Sequence, residues 1–286
     1  MPELPEVETV VRSLQHAVVG RTIVGVRLKE TDFIEDPEAL ERFLPGCRIS
    51  RVTRRGKFVV LELERSVEAG ARRFLLVHLG MTGRLVTCRP EEVVAPHTHV
   101  FLALDDGSEL RYADVRRFGR IRLTTDSEMP EGLLRLGPEP LEITAAEFLR
   151  IFSGRRAMIK ALLLNQKVLR GLGNIYTDEA LWRARIHPRR LASNLKREEL
   201  RRLRRALQGV LREAIRLRGS SVSDYVDAQG RRGEYQRCHR VYQREGKRCF
   251  RCGTFIRRII VAGRSSHFCP RCQPTPRRSG LRRRVG

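Results

Sequence analysis

The stretch CFRCGTFIRRIIVAGRSSHFCPRC, residues 249–272, decides the fold of the carboxyl-terminal part of this chain. It opens on the pair Cys249 and Cys252 and closes on the pair Cys269 and Cys272. Each Cys-x-x-Cys pair can hold one side of a tetrahedral Zn²⁺ ion from a tight turn, and the interval between the pairs suits a β-hairpin. Four thiolates leave no open position on the metal. The pattern therefore predicts a zinc finger with one structural Zn²⁺ ion.

Other side chains near this stretch allow two interpretations. His239 and His267 are alternative ligands, but the four cysteines already complete a tetrahedral shell. Arg257, Arg258 and Arg264 lie between the cysteine pairs. They form either a solvated charged face or a set of phosphate contacts, because a guanidinium group binds phosphate through two parallel hydrogen bonds. In a reducing compartment, such cysteine pairs indicate a metal more often than disulfides.

The charge of the chain favours a polyanionic partner. Lys and Arg number 57 against 33 Asp and Glu, which gives a formal net charge of +24. Such a surface repels itself unless a polyanion such as nucleic acid neutralises it, although a ribosomal or merely basic protein has a similar composition. The sequence has no apolar run long enough to span a bilayer, and its start lacks the pattern of a secretory signal. We therefore expect a cytoplasmic, nucleoid-associated protein with no membrane partner.

The 286 residues are enough for two domains of different secondary structure. Residues 21–125 contain short, partly alternating, β-branched segments, and Asp106-Gly107 is a strong hairpin turn, which together predict a β-sandwich. Residues 126–140 carry several prolines and glycines and are predicted to be a linker. Beyond them the apolar spacing is helical. The expected fold class is α+β, with an N-terminal β-sandwich flanked by helices and a C-terminal helical domain that ends in the zinc finger.

These patterns also predict where the domains, helices and strands begin and end. The predicted domains are a β-sandwich over 1–125, the linker over 126–140, a helical domain over 141–235, the zinc finger over 236–273 and a basic, disordered tail over 274–286. The predicted helices cover about 2–17, 144–152, 157–165, 174–185 and 196–218. The predicted strands cover 22–28, 48–53, 57–64, 73–79, 97–104 and 109–112.

The start of the chain carries a possible nucleophile. Removal of the initiator methionine before Pro2 would leave a secondary amine at the chain end. An α-amine has a pKa of about 8, well below that of lysine, so more of it is unprotonated at neutral pH. When such an amine attacks a sugar C1′, the Schiff base is an iminium that keeps its charge. Met1-Pro2 is equally compatible with an ordinary chain start. Glu3 and Glu6 either suit the dipole of a helix N-terminus or handle protons at such a site.

Several stretches resemble, in the same order along the chain, the formamidopyrimidine-DNA glycosylase family. They are Met1–Val10 (the family's N-terminus), Arg55–Phe58 (its strand lysine motif), His78–Gly83 and Asp114–Gly119 (its two DNA-probing loops), Ile159-Lys160 with Gly171–Tyr176 (its helix–two-turn–helix), Gly219–Tyr225 (its loop over the oxidised base) and Gly263–Cys269 (its zinc finger). Ser223 stands in that base loop where some members carry a basic residue. The collinear set runs from residue 1 to 273 and is highly specific, whereas any single loop is a weak match.

The resemblance implies a catalytic role for four residues. Pro2 is the implied nucleophile, and Glu3 is the implied acid–base group that protonates the sugar ring oxygen. Glu6 is implied to be a supporting acid near the site. Lys57 is implied to contact phosphate beside the lesion and to assist catalysis. These roles come from the family and not from the composition of the chain.

The resemblance also implies a set of DNA contacts. An enzyme that acts on a base must take the base out of the stack, and inserted side chains replace the lost stacking. Met81 and Phe118 are suitable wedges, and Arg116 can also bond to the orphaned cytosine. Without the resemblance, a core methionine, a core aromatic and a surface arginine are the simpler interpretations. The remaining implied DNA contacts are His99, Arg117, Lys160, Asn174 and Arg264.

We therefore expect a monomeric, bifunctional DNA glycosylase and AP lyase of base excision repair. It would excise oxidised purines (8-oxoguanine and formamidopyrimidines) from double-stranded DNA, act on abasic sites, and cleave the strand by β,δ-elimination through a Schiff base at Pro2. Zn²⁺ is the only expected cofactor, and the basic tail after Gln273 is expected to add nonspecific DNA affinity. Two alternatives stay open. One is an endonuclease VIII-like glycosylase for oxidised pyrimidines, and the other is a non-catalytic, zinc-containing DNA-binding protein.

Overall fold

The computed structural model describes residues 1–65, 72–222 and 225–275. The chain forms two compact units. The first combines Met1–Glu139 with Leu211–Cys238, and the second combines Pro140–Val210 with the chain from His239 onward. Ser223 and all but the first two residues of the predicted basic tail lie outside the described residues.

The first unit is built on two four-stranded antiparallel sheets. Its strands are β1 (Ile23–Leu28), β2 (Cys47–Arg55), β3 (Phe58–Arg65), β4 (Arg73–His78), β5 (Arg84–Cys88), β6 (Thr98–Leu104), β7 (Glu109–Ala113) and β8 (Arg120–Thr125). One sheet has the order β1-β6-β7-β5 and the other has the order β2-β3-β4-β8. Apolar side chains from both sheets, such as Val59 and Leu102, belong to one buried core. This arrangement confirms the predicted N-terminal β-sandwich.

Helix α1 (Leu4–Val18) packs on the same core. Val7, Val10, Val11 and Leu14 form its buried stripe at the predicted helical spacing. Pro5 is tolerated in the first turn, where a backbone N–H has no partner within the helix. The packing of α1 fixes the position of the first residues of the chain relative to the sandwich.

Parts of this unit differ from the sequence prediction. Helix α2 (Pro37–Phe43) lies within the segment predicted to be strands only. Asp36 caps it by accepting a hydrogen bond from Ala39 N at 2.9 Å, and Pro37 occupies its first turn. Strands β5 and β8 were not predicted, because arginines and threonines interrupt their apolar alternation. The predicted linker contains the short helix α3 (Glu131–Leu134).

The second unit is mainly helical. It contains α4 (Ala145–Phe152), α5 (Ile159–Leu164), α6 (Asn174–Arg183), the larger part of α7 (Arg197–Arg216), and the strands β9 (Arg257–Val261) and β10 (Arg264–Phe268). Thr144 caps α4 as predicted, because its hydroxyl accepts from Glu147 N at 3.2 Å. Strands β9 and β10 form the predicted hairpin. Ala262 and Gly263 make its turn with φ of 50° and 70°, as a two-residue hairpin of the I′ type requires.

The compact units differ from the predicted domain ranges. Residues 211–235 were predicted to belong to the helical domain, but they group with the first unit. The reason is a set of long-range hydrogen bonds that sequence patterns do not reveal, such as Thr87 N to Ala228 O at 2.8 Å and Ala228 N to Ser13 Oγ at 3.2 Å. None of the helices in the described ranges has the length and apolarity that crossing a bilayer requires.

Candidate active site and nucleic-acid interface

The first residues of the chain are buried at the start of α1. Pro2 is buried, and Glu3 and Glu6 are only 3% and 2% exposed. Glu3 and Glu6 form a reciprocal capping box, in which Glu3 N donates to Glu6 Oε2 at 2.8 Å and the Glu3 side chain accepts from the backbone of Glu6. The box satisfies two backbone donors that a helix start otherwise leaves open. It therefore holds both carboxylates beside the chain end.

Glu6 also anchors a distant segment of the same unit. Its Oε1 accepts from Ser220 N at 2.7 Å, and its backbone carbonyl accepts from the hydroxyl of Tyr225 at 3.2 Å. A Cβ atom at Gly219 would lie 2.7 Å from Glu6 Oε1, and φ at Gly219 is +78°, so only glycine fits there. Both carboxylate oxygens of Glu6 therefore accept backbone N–H groups. No sequence motif indicated these partners of Glu6.

The charges around the chain end belong to other predicted site residues. Burial lowers the pKa of the Met1 α-amine below its usual value; Glu3 and Glu6 act in the opposite direction, whereas Lys57 and Arg116 lower it further. Lys57 is 9% exposed and lies in the two-residue turn between β2 and β3. The amine and these four charged side chains are thus close enough to influence one another. A lowered pKa leaves more of an amine unprotonated and nucleophilic at neutral pH.

Two loops of the first unit meet backbone to backbone. A Cβ atom at Gly80 would lie 2.5 Å from Gly119 N, and φ at Gly80 is +59°. The carboxylate of Asp114, which is fully buried, accepts from Gly119 N at 2.8 Å and from the hydroxyl of Tyr112 at 3.2 Å. It also accepts from the hydroxyl of Thr82. The stretches 78–83 and 114–119, predicted from the resemblance to probe DNA, therefore form one braced structure.

Three exposed side chains project from this structure. Met81 is 40% exposed and Phe118 is 52% exposed, which is unusual for large apolar side chains. Arg116 lies between them, with Nη1 3.2 Å from the sulfur of Met81 and its guanidinium carbon 4.4 Å from the ring centroid of Phe118. The core interpretation of Met81 and Phe118 is excluded. The geometry brings the three predicted wedge residues together on the surface.

Two other predicted DNA contacts, His99 and Arg117, are held by groups of the protein itself. His99 is 5% exposed, and its Nε2 lies 3.3 Å from Asp114 O, so its ring supports the loop and is not presented to a ligand. Arg117 is exposed but forms ion pairs with Glu30 at 3.0 Å and Asp32 at 3.3 Å. A phosphate would have to replace these carboxylates. The sequence could not reveal either arrangement, because the partners are far apart along the chain.

His78 gives this region a pH dependence. Its Nδ1 accepts from Gly80 N at 3.1 Å, which requires an unprotonated nitrogen. Burial, with smaller contributions from the charges of Lys57 and Arg120, lowers the pKa of His78 from 6.5 to about 4. The folded protein therefore binds fewer protons than the unfolded chain between these values. The stability that the neutral ring contributes is present above pH 6.5 and is lost as the pH falls towards 4.

We predict that His78→Asn makes the free energy of unfolding less sensitive to acid. Between pH 7 and pH 4.5 the loss of stability is expected to be about 2 kcal/mol smaller than in the unsubstituted protein, because the variant has no ring to protonate. Urea unfolding at both pH values measures this difference. His16→Asn, at an exposed position, is the matched control. An equal loss of stability in both variants would contradict the prediction.

In the second unit, the start of α6 is arranged to receive an anion. Gly173 precedes the helix as its N-cap, and the side chain of Gln166 braces the turn through Gly171 N at 2.8 Å and Leu172 O at 2.9 Å. The side-chain oxygen of Asn174 is buried and has no hydrogen-bond partner within the described residues. Backbone N–H groups at a helix start favour negative charge. The predicted phosphate contact of Asn174 therefore lies at a suitable helix end.

Lys160 does not occupy the surface position that the predicted phosphate contact requires. It is fully buried, and its Nζ donates to Asp178 Oδ1 at 2.6 Å and to Ser265 O at 2.8 Å. The other oxygen of Asp178 accepts from His267 N at 2.9 Å. Asp178 thus joins α5 and α6 to β10, whose first residue is the exposed Arg264. Sequence reasoning missed Asp178, which no motif marked.

The four cysteines of the opening stretch come together as predicted. The sulfur atoms of Cys249, Cys252, Cys269 and Cys272 all lie within 4.8 Å of one another, and the shortest separations are 3.5 Å. A tetrahedral zinc ion with Zn–S bonds of about 2.3 Å requires S–S separations of about 3.8 Å. The residues therefore fit a structural zinc ion. His267 contacts Asp178 and is not needed as a ligand.

We predict that Cys252→Ala abolishes stoichiometric metal binding and weakens DNA binding. Three thiolates do not close the site, and the hairpin that carries Arg264 depends on its metal for folding. Metal analysis of the purified variant and an electrophoretic mobility shift assay measure the two effects. Cys88→Ala, outside the cluster, is the control. Retained metal together with retained affinity would refute the prediction.

Comparisons with known proteins agree with this geometry. The formamidopyrimidine-DNA glycosylase N-terminal domain matches residues 1–121, its H2TH domain matches residues 136–226, and the zinc finger found in FPG and IleRS matches residues 246–275. The formamidopyrimidine-DNA glycosylase of Solibacter usitatus (strain Ellin6076) is 48% identical over 96% of this chain and 99% of its own length.

Solved structures give the same result. The Lactococcus lactis Fpg in complex with DNA that contains an abasic site is 34% identical, with a TM-score of 0.87 over 96% of this chain and 100% of that chain. The wild-type Lactococcus lactis Fpg (MutM) with DNA that contains N7-benzyl-Fapy-dG is 35% identical, with the same TM-score and coverage. The resemblance that the sequence motifs indicated is confirmed. The chain is an enzyme that belongs to the formamidopyrimidine-DNA glycosylase family of DNA repair.

Proposed function

We propose that this protein excises oxidised purines from double-stranded DNA and then cleaves the strand at the resulting abasic site. One observation carries the proposal. The buried amino end of the chain lies within electrostatic reach of Arg116, and Arg116 contacts the exposed side chains of Met81 and Phe118. A nucleophile therefore lies near the side chains that would replace a flipped base.

The nucleophile in this proposal is the amine of Pro2 after removal of Met1. The lone pair of the amine attacks C1′ of the flipped nucleotide, the glycosidic bond breaks, and the base leaves with a proton. Glu3 protonates the ring oxygen, the sugar opens, and the nitrogen loses its proton to give an iminium. Loss of a proton from C2′ then expels the 3′ phosphate, and a second elimination expels the 5′ phosphate. The product is a one-nucleotide gap that ends in phosphates.

The surroundings of Pro2 support this chemistry. Burial beside Lys57 and Arg116 favours the neutral form of an amine, which is the nucleophilic form. Lys57, in its tight turn, contacts a phosphate next to the lesion in this proposal. Glu6 is a positioning residue, because its two carboxylate oxygens accept the backbone N–H groups of Glu3 and Ser220. It therefore holds the chain end beneath the segment that resembles the base loop.

DNA binding in this proposal uses residues of each unit. Met81 and Phe118 fill the gap in the base stack, and Arg116 bonds to the orphaned base. In this proposal Asn174, in the first turn of α6, and the exposed Arg264 bind phosphates of the distorted backbone. Lys160 acts indirectly, through its ion pair with Asp178. The zinc ion, when bound to the four cysteines, keeps the finger folded.

Borohydride trapping tests the proposed nucleophile. The expected result is a covalent protein–DNA adduct on a duplex that contains 8-oxoguanine opposite cytosine, after mass spectrometry has shown that Met1 is absent. Pro2→Gly is expected to lower strand cleavage by a larger factor than DNA affinity, because it changes the nucleophile and no phosphate contact. Equal losses of cleavage and affinity would contradict the role of Pro2. Absence of any adduct would refute the covalent mechanism through Pro2.

Substrate preference needs a separate comparison. The exposed set of Met81, Arg116 and Phe118 favours the purine enzyme over the endonuclease VIII-like alternative, and relatives named formamidopyrimidine-DNA glycosylase support the same choice. Excision from 8-oxoguanine:C and thymine-glycol:A duplexes, measured under single-turnover conditions, distinguishes the two. The purine substrate is expected to react faster. Faster release of the pyrimidine would overturn the choice.

A further inference from the structure

The first unit contains an apolar cavity that the proposed function does not use. Its volume is about 540 Å³, within the range of small-molecule sites. The cavity lies between the start of β8, the first residue of β3 and the segment around α3. Its apolar walls are Phe33, Ile34, Phe58, Leu76, Ile121 and Leu133.

The walls of the cavity are held by their own packing. Leu76 and Leu133 belong to a small buried cluster with Val60 and Phe74, separate from the core between the two sheets. Phe58 packs against this cluster and is only partly buried. The segment before residue 137 therefore covers the outer face of the sheet incompletely. A partly open, apolar space remains beside this cluster.

The charge at the rim indicates which ligand fits. Arg122 is paired with Glu35 at 2.9 Å, and Arg117 is paired with both Asp32 at 3.3 Å and Glu30 at 3.0 Å. Arg120 is exposed at the same rim and makes no ion pair within the described residues. Its Nη1 donates to backbone carbonyls, whereas Nε and Nη2 have no hydrogen-bond partner in the described part of the chain. A guanidinium group without an ion-pair partner, with free donors beside apolar walls, favours an apolar anion as the ligand.

The cavity is connected to the two braced loops. Arg120 Nη1 donates to Gly119 O at 2.6 Å, at the point where Gly119 meets Gly80. The ring centroids of Phe58 and His78 are 4.9 Å apart, and His78 accepts from Gly80 N. A ligand that touched both Arg120 and Phe58 would therefore contact a support of each loop.

We propose that this cavity is a regulatory site for a flat aromatic anion of one or two rings, which pairs with Arg120 and stacks on Phe58. Occupation of the site alters the loops 78–83 and 114–119 through Gly119 and His78. The cavity is not part of the proposed DNA chemistry, and its ligand binding does not depend on the nucleophile.

Titration with 8-anilinonaphthalene-1-sulfonate tests the site in the full-length protein without DNA. We expect saturable fluorescence enhancement with a stoichiometry of one probe per chain. Arg120→Gln is expected to weaken binding about tenfold, because it removes a charged hydrogen-bond donor. Arg122→Gln is the matched control, since Arg122 is already paired with Glu35. Weak binding at many sites, reduced equally by both substitutions, would overturn the proposal.

A second variant and a second measurement test the location and the coupling. A Cβ atom at Gly132 meets no heavy atom within 4 Å, so a side chain can begin there without a clash, and Gly132→Trp introduces a large side chain at the cavity wall. This variant is expected to weaken binding of the probe at least as much as Arg120→Gln, with unchanged thermal unfolding. Hydrogen exchange at the amides of Gly80 and Gly119 is expected to change on saturation with the probe. Unchanged affinity in Gly132→Trp, or unchanged exchange at both amides, would refute the site or its coupling.

Discussion

Glu3→Gln is expected to reduce base excision by a factor of roughly 10²–10⁴ while leaving the fold and the DNA affinity nearly unchanged. The large effect follows from the loss of the proton that Glu3 gives to the sugar ring oxygen in the proposed reaction. The small effect on stability follows from the capping box, because an amide oxygen can still accept the backbone N–H of Glu6. Single-turnover excision from an 8-oxoguanine duplex and thermal unfolding measure the two quantities.

Glu8→Gln provides the matched control for this prediction. Glu8 lies on the same helix, but its carboxylate is paired with Arg12 at 2.8 Å and with Arg54 at 2.9 Å. These partners keep the pKa of Glu8 below its usual value, although burial acts in the opposite direction. The control is expected to lose stability and to retain its excision rate. An excision rate within threefold of the unsubstituted enzyme in Glu3→Gln would remove Glu3 from the catalytic machinery.

Asp178→Ala is expected to destabilise the second unit by about 3–5 kcal/mol, because it leaves the charge of Lys160 buried without its carboxylate partner. Lys160 is fully buried, and Asp178 accepts both its ammonium group and His267 N. DNA affinity is expected to fall as well, since the hairpin that presents Arg264 loses its attachment to α6. Urea unfolding and a DNA-binding titration measure these changes.

A double variant distinguishes an effect of Asp178 on the stability of the second unit from an effect on the position of Arg264. Replacing Lys160 with methionine and Asp178 with leucine removes both charges, and such apolar replacements of a buried pair are often neutral or stabilising. We expect stability to recover in the double variant while DNA affinity stays low, because His267 N still lacks its acceptor. Full recovery of affinity would show that Asp178 contributes only stability and does not position Arg264.

The sequence predicted those features of the fold and site that depend on local patterns. The two cysteine pairs predicted the cluster of four cysteines. The spacing of Val7, Val10, Val11 and Leu14 predicted α1, and Thr144 predicted the start of α4. The family motifs singled out Met81, Arg116 and Phe118, which lie together on the surface. Each of these signals is contained in a short stretch of residues.

The features that the sequence did not predict depend on partners far apart along the chain. Lys160 and His99 are polar residues that usually lie on the surface, and only their distant partners Asp178 and Asp114 explain why they are buried. In the same way, Glu6 and Ser220 are bonded although more than two hundred residues separate them. Burial of a polar residue is decided by the group that satisfies it, and spacing along one stretch carries no information about that group.

The contact between Gly80 and Gly119 has a consequence for protein engineering. The bonds that brace the two loops are made by backbone atoms or by the side chains of His78, Thr82, His99, Tyr112, Asp114 and Arg120. The side chains of Met81, Arg116 and Phe118 can therefore be replaced without removing the bonds that brace the loops. Substitution of these three side chains is expected to change the free energy of unfolding by no more than about 0.5 kcal/mol, as for ordinary surface substitutions. Libraries restricted to these positions would therefore search for new lesion selectivity without the loss of folded protein that usually accompanies randomisation of an active site.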